Sequence, residues 1–213
     1  GGPHCTLVPE KALADTKADI CVQGDGEKII TSIKNAILGK IAFSKIPGIY
    51  YWEKNKIKKG PSLKIINDVD EIPFPSRDIV KKYNYGKEYN PKIKKGEFTS
   101  IITGRGCPFK CKFCSSNSIC MKTYRMRSAK NVLAEIKELN KEGYKYIAFV
   151  DDSFLCNKKQ ANEIFDGIIS EQLDMKFIIF GVRVDTVDEE LFKKMKKAGV
   201  TLLYFGLESG NQD

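Results

Sequence analysis

The sequence is poor in histidine and in long apolar runs. Its single histidine, His4, leaves no material for a histidine-rich metal site and disfavours Cys/His or Ser/His catalysis. No stretch approaches the roughly 20 apolar residues that a membrane-spanning helix needs, and no secretory signal opens the chain. The sequence therefore predicts a cytoplasmic protein without a membrane span, and its 42% apolar residues are enough for a globular core.

Arginine is also scarce. It supplies only five of the 36 basic residues, and the remaining lysines are spread along the chain in pairs such as Lys58-Lys59 and Lys196-Lys197. A nucleic-acid binder would more often gather arginine and aromatic residues on one element. We therefore interpret the net charge of +9 as a compositional bias that disfavours a nucleic-acid partner.

Cysteine, in contrast, is plentiful and unevenly placed. The chain has seven cysteines, of which Cys107, Cys111 and Cys114 fall within eight residues. Without a secretory signal, such cysteines are expected to remain reduced and to bind metals or take part in chemistry. Any metal coordination in this chain is therefore predicted to use mainly sulfur.

The first 95 residues have two patterns. Up to about residue 42 the sequence predicts a helix after Pro9, a strand at Ile20–Val22 and an amphipathic helix with isoleucine at positions 29, 30, 33 and 37. Residues 43–95 instead contain five prolines, many lysines and short strands, with a hairpin predicted at Lys54-Asn55.

From Phe98 onward, strands and helices alternate. The apolar, β-rich runs predict strands at Thr99–Thr103, Tyr146–Val150, Phe177–Phe180 and Leu202–Phe205. The helices between them are predicted to begin at Ser128 and to cover Lys158–Ser170 and Asp188–Lys197. This α/β pattern indicates a parallel sheet, and four strands cannot close a barrel. The incomplete set of strands and the start at Gly1 in place of methionine lead us to expect an excerpt of a longer protein.

The cysteine triplet follows directly on the first strand of this series. In parallel α/β sheets, ligands bind at the carboxyl ends of the strands, which is where this loop is placed. Three thiolates at C-x3-C-x2-C spacing suit an iron–sulfur cluster and leave one iron open for chemistry. The alternatives are a zinc site, with Cys120 or Cys156 as fourth ligand, and three cysteines that are merely buried.

This cysteine motif, with Phe113 before its last cysteine, resembles the signature of the radical S-adenosylmethionine (SAM) enzymes. Other stretches resemble the branch of that family with an N-terminal cobalamin-binding domain. They are Gly1–His4, Val22–Glu27, Ile72–Asp78, Tyr124–Ser128, Phe149–Phe154, Arg183–Asp185 and Phe205–Gly210.

The resemblance implies a two-part architecture. Residues 1–42 would be the C-terminal remnant of a Rossmann-like cobalamin-binding domain and residues 43–95 a linker. Residues 96–213 would form the first four βα units of a partial (β/α) barrel of the radical SAM type. The Asp-x-His-x-x-Gly stretch that supplies the lower cobalt ligand in many relatives is missing from the chain.

The resemblance also implies an activity. It predicts an enzyme that reductively cleaves SAM at a 4Fe–4S cluster held by Cys107, Cys111 and Cys114, and that starts radical chemistry such as methyl transfer. Cobalamin is expected as a further cofactor of the full-length protein, and a flavodoxin or ferredoxin as electron donor, whereas the small-molecule or peptide substrate stays open. The alternatives are a tRNA methylthiotransferase-like enzyme and an inactive cobalamin- or metal-binding regulatory module. This chain by itself is expected to bind cofactors poorly.

The remaining site residues are carried over by position. Phe113 would lie near the adenine of SAM, Asp151 and Asp152 would contact its amino group, and Glu208 its ribose. Arg183 would meet the methionine carboxylate or a substrate acid, and Gly1 and Gly2 would approach the cobalamin tail. Simpler roles stay open: Asp151 as a turn cap, Arg183 as an ion-pair partner and Glu208 as a helix-entry residue. No residue is assigned to catalysis.

Overall fold

The chain folds into two units, which the computed structural model describes over residues 1–211. The first unit consists of residues 1–68 together with residues 109–123, and the second of residues 69–108 together with residues 124–213. The boundary at 68/69 falls inside the segment that the sequence suggests as a linker. None of the helices in the described residues is long and apolar enough to cross a bilayer.

The helices agree with the periodicity of the sequence and add two short ones. They are α1 (Pro3–Leu7), α2 (Pro9–Thr16), α3 (Ile30–Ile37), α4 (Ser116–Ile119), α5 (Ala129–Lys141), α6 (Lys158–Ser170) and α7 (Glu189–Lys197). The side chains of Ser128, Asn157 and Asp188 cap α5, α6 and α7 by accepting backbone N–H groups of the first turn. The predicted starts of these helices are therefore confirmed, whereas α1 and α4 were not anticipated.

The strands form sheets that stay within one unit each. They are β1 (Ile20–Val22), β2 (Ile49–Glu53), β3 (Lys56–Lys59), β4 (Phe98–Ile101), β5 (Gly104–Arg105), β6 (Arg125–Met126), β7 (Tyr146–Phe149), β8 (Lys176–Arg183) and β9 (Val200–Gly206). In the first unit, β1, β2 and β3 are antiparallel, and the predicted hairpin turn is formed by Lys54 and Asn55, both with positive φ.

The second unit is built on a parallel sheet in the order β4-β7-β8-β9. Its strands occur in sequence order with a helix after β7 and after β8, as expected for right-handed βα units. The four strands leave the sheet open. The α/β fold class and the partial barrel are therefore confirmed.

Apolar side chains cover both faces of this sheet. On the helix side, Val132 and Ile136 of α5 and Phe165 of α6 pack against Phe149 and Phe177 of the strands, all of them fully buried. On the opposite face the ring of Tyr89 lies against the aromatic side chains of three strands, which are Phe98, Phe180 and Tyr204. Burial of these large side chains is the main stabilising contribution to the unit.

Candidate cluster and cofactor site

The cysteine segment is tied off at its base by a short pair of strands. Gly104 and Arg105 of β5 pair with Arg125 and Met126 of β6 in antiparallel register, so the chain leaves and re-enters the second unit at nearly the same place. Gly104 cannot be replaced without cost, because a Cβ there would lie 3.0 Å from the carbonyl oxygen of Arg125. The predicted position of the motif, directly after the first strand of the parallel sheet, is the observed one.

The three cysteines differ in exposure. Cys107, which follows the positive-φ Gly106, and Cys111 are half-buried, whereas Cys114 is exposed. The backbone N–H of Cys114 donates to the carbonyl of Cys111 at 3.1 Å, and the N–H of Ser116 donates to Cys114 Sγ at 3.4 Å. An N–H group aimed at a thiolate sulfur stabilises its negative charge, which is the environment that a cluster ligand needs.

The donor set suits an iron–sulfur cluster by its chemistry. None of the cysteines in the described part of the chain forms a disulfide. Within residues 1–211, no three Cys, His, Asp or Glu side chains converge as the ligands of a single metal ion would. A 4Fe–4S cluster binds each thiolate through a different iron, so its ligands need not meet at one point.

Residues 109–123, here called the cysteine loop, hold their shape through local contacts. The side-chain amide of Asn117 donates to the carbonyl of Phe109 at 2.7 Å, and the hydroxyl of Thr123 donates to the carbonyl of Cys120 at 2.7 Å. Met121 and Lys122 both have positive φ, which is uncommon for residues other than glycine and indicates that the surroundings impose this conformation.

The turn at Gly24 packs against the cysteine loop within the first unit. Gly24 has a φ of +70°, and a Cβ at this position would lie 2.8 Å from Met121 Cε and 2.8 Å from Leu63 Cδ2. Its N–H donates to the hydroxyl of Thr6 on α1 at 3.1 Å. In the Gln-Gly-Asp-Gly-Glu stretch that begins at Gln23, position 24 therefore needs glycine for two reasons, its positive φ and the close approach of Leu63 and Met121 to its backbone.

Asp151 follows β7 and is buried. Its Oδ1 accepts from the backbone N–H of Thr103 at 2.7 Å and from the Thr103 hydroxyl at 2.8 Å, which joins the end of β7 to the segment between β4 and β5. Its Oδ2 is buried without a hydrogen-bond partner. Burial raises the pKa of Asp151 to about 6, although the hydrogen bonds from Thr103 act in the opposite direction. Asp151 thus ties the turn after β7 to Thr103, and its contact with a cofactor stays a prediction.

Tyr124 and Cys156 form a second polar contact at this edge of the sheet. Tyr124 Oη lies 2.8 Å from Cys156 Sγ, and either atom is able to donate. Burial and the contact with Cys156 raise the pKa of Tyr124 well above its usual value, and Asp151 and Cys107 add to this effect. The sequence carries no signal for this pair, because Tyr124 and Cys156 are far apart in the chain and belong to no spaced motif.

The other predicted cofactor residues are more exposed to solvent than Asp151. Asp152 and Glu208 are exposed, and Glu208 has a positive φ just after β9. Phe113 is 71% exposed. Gly1 and Gly2 are also exposed, at the start of the first unit. These residues have the accessibility that a ligand contact requires.

Arg183, at the end of β8, has an ion-pair partner. Its guanidinium donates to both carboxylate oxygens of Asp185, at 3.0 Å and 2.6 Å, and this contact lowers the pKa of Asp185. The contact with Asp185 is an ion pair of the kind that the simpler role of Arg183 requires, and its cofactor role stays a prediction.

A buried ion-pair network supports β4, the strand that leads to the cysteines. Both oxygens of Glu135, on α5, are bound at 2.6 Å, one by Arg77 and the other by Arg127. Arg77 also donates to the carbonyl of Ser100 and Arg127 to that of Ile102. The network holds one edge of β4 and the residue that follows it, and Arg127, which is 11% exposed, is an anchoring residue of this network.

Comparison with known proteins gives a consistent result. The sequence model described as the Radical SAM superfamily matches residues 101–213, more than half of the chain. An uncharacterized methyltransferase of Pyrococcus horikoshii is 37% identical over 213 residues, which cover 99% of this chain and 45% of that protein.

Two solved structures share the fold over 97% of this chain. TsrM from Kitasatospora setae, a radical SAM methyltransferase with cobalamin and a [4Fe–4S] cluster bound, superposes with a TM-score of 0.76 at 19% identity over 42% of its length. OxsB, a cobalamin-dependent SAM radical enzyme with aqua-cobalamin and SAM bound, superposes with a TM-score of 0.74 at 20% identity over 30% of its length. This chain therefore spans less than half the length of each of these three proteins.

Proposed function

Because this chain belongs to the radical SAM superfamily, we propose that Cys107, Cys111 and Cys114 hold a 4Fe–4S cluster at which SAM is reductively cleaved. The observation that carries the proposal is the C-x3-C-x2-C motif that follows β4 in the chain, with Cys107 just after β5 of the β5–β6 pair. When bound, the cluster supplies the electron that breaks a C–S bond of SAM and starts radical chemistry on a substrate.

The protein's own contribution begins with the thiolates. Three thiolate charges on one short segment make the site electron-rich, and the N–H of Ser116 offsets part of the charge at Cys114. The Arg77–Glu135–Arg127 network immobilises the strand that precedes the segment. We propose that this rigidity keeps the ligands in place while the substrate is held.

Asp151 is proposed to bind the ammonium group of SAM. Its Oδ2 is buried and lacks a partner, and a cationic donor at that atom would offset the cost of keeping the carboxylate out of water. Asp152 is the exposed carboxylate beside it and would share the contact. Glu208 is proposed for the ribose, Phe113 for the adenine, and Arg183 for a carboxylate once it exchanges partners with Asp185.

Residues 1–42, a part of the first unit, are proposed to be the end of a cobalamin-binding domain. In this division residues 1–42 belong to that domain, residues 43–95 form the linker and residues 96–213 the first part of the barrel, with Gly1 and Gly2 near the cobalamin tail. The likeness to TsrM and OxsB, whose structures contain cobalamin, supports this proposal. The reaction would then be methyl transfer in the cytoplasm, with electrons from a flavodoxin or ferredoxin.

Iron binding tests the cluster assignment. The protein is expressed from its complete gene and reconstituted without oxygen with iron and sulfide. We expect about four iron atoms per chain and a visible absorption that bleaches on reduction. Replacement of Cys107, Cys111 and Cys114 by alanine should remove most of this iron, whereas Cys120→Ala, in the same loop, should retain it. Iron content that survives the triple replacement would show that the assignment is wrong.

Product analysis tests the reaction. With SAM and a strong reductant, the reconstituted protein should release 5′-deoxyadenosine, and the triple variant should release none. A regulatory module that only binds cofactors would give no 5′-deoxyadenosine in either form.

A further inference from the structure

Two cysteines outside the proposed cluster site lie against each other in the first unit. Cys5 is on α1 and Cys21 is on β1, and Cys21 is 1% exposed. The thiol of Cys21 donates to the carbonyl of Cys5 at 3.8 Å. Cys5 also packs against the apolar cluster that Cys21 forms with Ala12 and Leu13. Sixteen positions separate the two residues in the chain, so the fold brings them together.

The two side chains also interact with each other. Burial, and next the hydrogen bond with the Cys5 side chain, raise the pKa of Cys21 to about 12. Cys21 therefore remains a protonated thiol at neutral pH. Cys5 is only half-buried, so a small oxidant reaches Cys5 before it reaches Cys21.

We propose that Cys5 and Cys21 are a modification site, at which a peroxide converts the thiol pair into a reversible intramolecular disulfide. In the first step the Cys5 thiolate attacks the peroxide, the O–O bond breaks, and with one proton taken up Cys5 becomes a sulfenic acid and water leaves. In the second step the Cys21 thiol gives its proton to the sulfenic hydroxyl as its sulfur attacks the Cys5 sulfur, the S–O bond breaks, and a second water leaves.

Electrons and atoms balance over the two steps. Each thiol loses one hydrogen, the pair gives two electrons to the peroxide, and the peroxide becomes two waters. A dithiol reductant reverses the change. The S–S bond, about 2.05 Å long, links α1 to β1 covalently.

The position of α1 gives this modification a route to the cysteine loop. Thr6, next to Cys5, accepts hydrogen bonds from the Gly24 N–H at 3.1 Å and from the Gln23 side chain at 2.9 Å. The Gly24 turn in turn contacts Met121 of the cysteine loop, and α1 itself packs against α4. A covalent link between α1 and β1 therefore acts on the elements that support Cys111 and Cys114.

Peptide mapping tests the proposal. The reduced protein, expressed from its complete gene, is treated without oxygen with one equivalent of hydrogen peroxide, alkylated and digested with trypsin. Cleavage after Lys11, Lys17 and Lys28 separates the two cysteines into different peptides. We expect mass spectrometry to find the peptide ending at Lys11 joined to residues 18–28, with the link lost after a dithiol reductant.

Variants decide between this pair and other thiols. Cys120→Ser should retain the linked peptides, and both Cys5→Ser and Cys21→Ala should abolish them. In Cys21→Ala the Cys5 sulfenic acid has no partner, so a sulfenic-acid probe should label it. The proposal is overturned if Cys5 joins another cysteine, or if both thiols remain open to alkylation while other cysteines are oxidised. The readout needs no cluster, so its failure is distinct from a failure of the proposed function.

Discussion

Among single residues, Asp151 combines the features of a structural and a binding group. One carboxylate oxygen holds the Thr103 backbone and hydroxyl, and the other is buried without a partner. Because Asp151 directly follows a β-rich run, the sequence was enough to predict that it lies where the strands of the sheet end. The bond to Thr103 could not be predicted, since 48 positions separate the two residues and threonine has no special spacing to aspartate.

The raised pKa of Asp151 makes stability depend on pH. The carboxyl ionises with a pKa near 3.8 in the unfolded chain and about 6 in the folded protein, so the folded state holds its proton more tightly. The resulting stabilisation is fully present below about pH 4 and is lost as pH rises through 6. A shift of this size corresponds to about 3 kcal/mol of unfolding free energy.

Asp151→Asn should therefore flatten the pH dependence. Asparagine retains an oxygen that accepts from Thr103 and carries no charge, so urea midpoints of the variant should change less between pH 4 and pH 7 than those of the wild type. Asp152→Asn, at the exposed neighbour, should leave the wild-type slope unchanged. Equal slopes for Asp151→Asn and wild type would contradict the assignment.

Buried charges mark the limit of residue-scale prediction in this chain. On α5, Glu135 lies between the buried apolar residues Val132 and Ile136, and the sequence around it does not indicate a partner. Glu135 is nevertheless 2% exposed and bound by two arginines. Which cations neutralise a buried carboxylate depends on tertiary contacts, and one sequence carries no signal for them.

At the scale of elements, local chemistry decided what could be predicted. Side-chain caps at Ser128 and Asp188 and the turn at Lys54-Asn55 act within a few residues, so their elements were predicted correctly. The β5–β6 pair, in contrast, joins segments of two residues each from either side of the cysteine loop. Strands of two residues are too short to show the alternation of apolar and polar residues from which a strand is predicted.

Strand β8 contains a glycine that shapes the proposed cofactor edge. The register between β8 and β9 shifts between Ile179 and Val182, and Gly181 lies within this irregularity with a φ of +65°. A Cβ on Gly181 would come within 2.7 Å of the Asp152 carbonyl oxygen and 2.9 Å of that of Asp151.

Gly181→Ala should be strongly destabilising. The left-handed backbone costs an alanine about 1–2 kcal/mol, and displacement of the backbone after β7 should add about 1–3 kcal/mol. Gly143→Ala is the matched control, since Gly143 has a φ of +92° and a Cβ there would meet no atom within 4 Å. Chemical denaturation should show the larger loss for Gly181→Ala; equal losses would mean that the backbone at Asp151 and Asp152 moves aside freely.

For the whole molecule, the division into units was less predictable than the elements. The change in composition near residue 95 indicated where the βα series begins. It gave no sign that residues 109–123 group with the first 68 residues. That grouping depends on tertiary contacts such as the close approach of the Gly24 backbone to the Met121 side chain. A contact of this kind leaves no pattern in the sequence.

Gly24→Val tests whether the first unit supports the cysteine loop. Valine at this position must displace Leu63 and Met121, so trypsin should cut after Lys110, Lys112 or Lys122 faster than in the wild type. A local loss of about 1 kcal/mol raises the open fraction roughly fivefold. Gly39→Val has the same backbone strain, with a φ of +72° and no atom within 4 Å, and should leave these cleavage rates unchanged. Equal rates for the two variants would show that the Gly24 contact is dispensable.

The separation of the first unit into two stretches of sequence affects how the protein is made. A ribosome releases residues 1–68 well before residues 109–123, and residues 69–108, which belong to the other unit, emerge between them. The early stretch must therefore wait, incompletely packed, until the cysteines have left the exit tunnel. A nascent chain with this order completes its first unit only once Cys111 and Cys114, the proposed cluster ligands of that unit, have emerged.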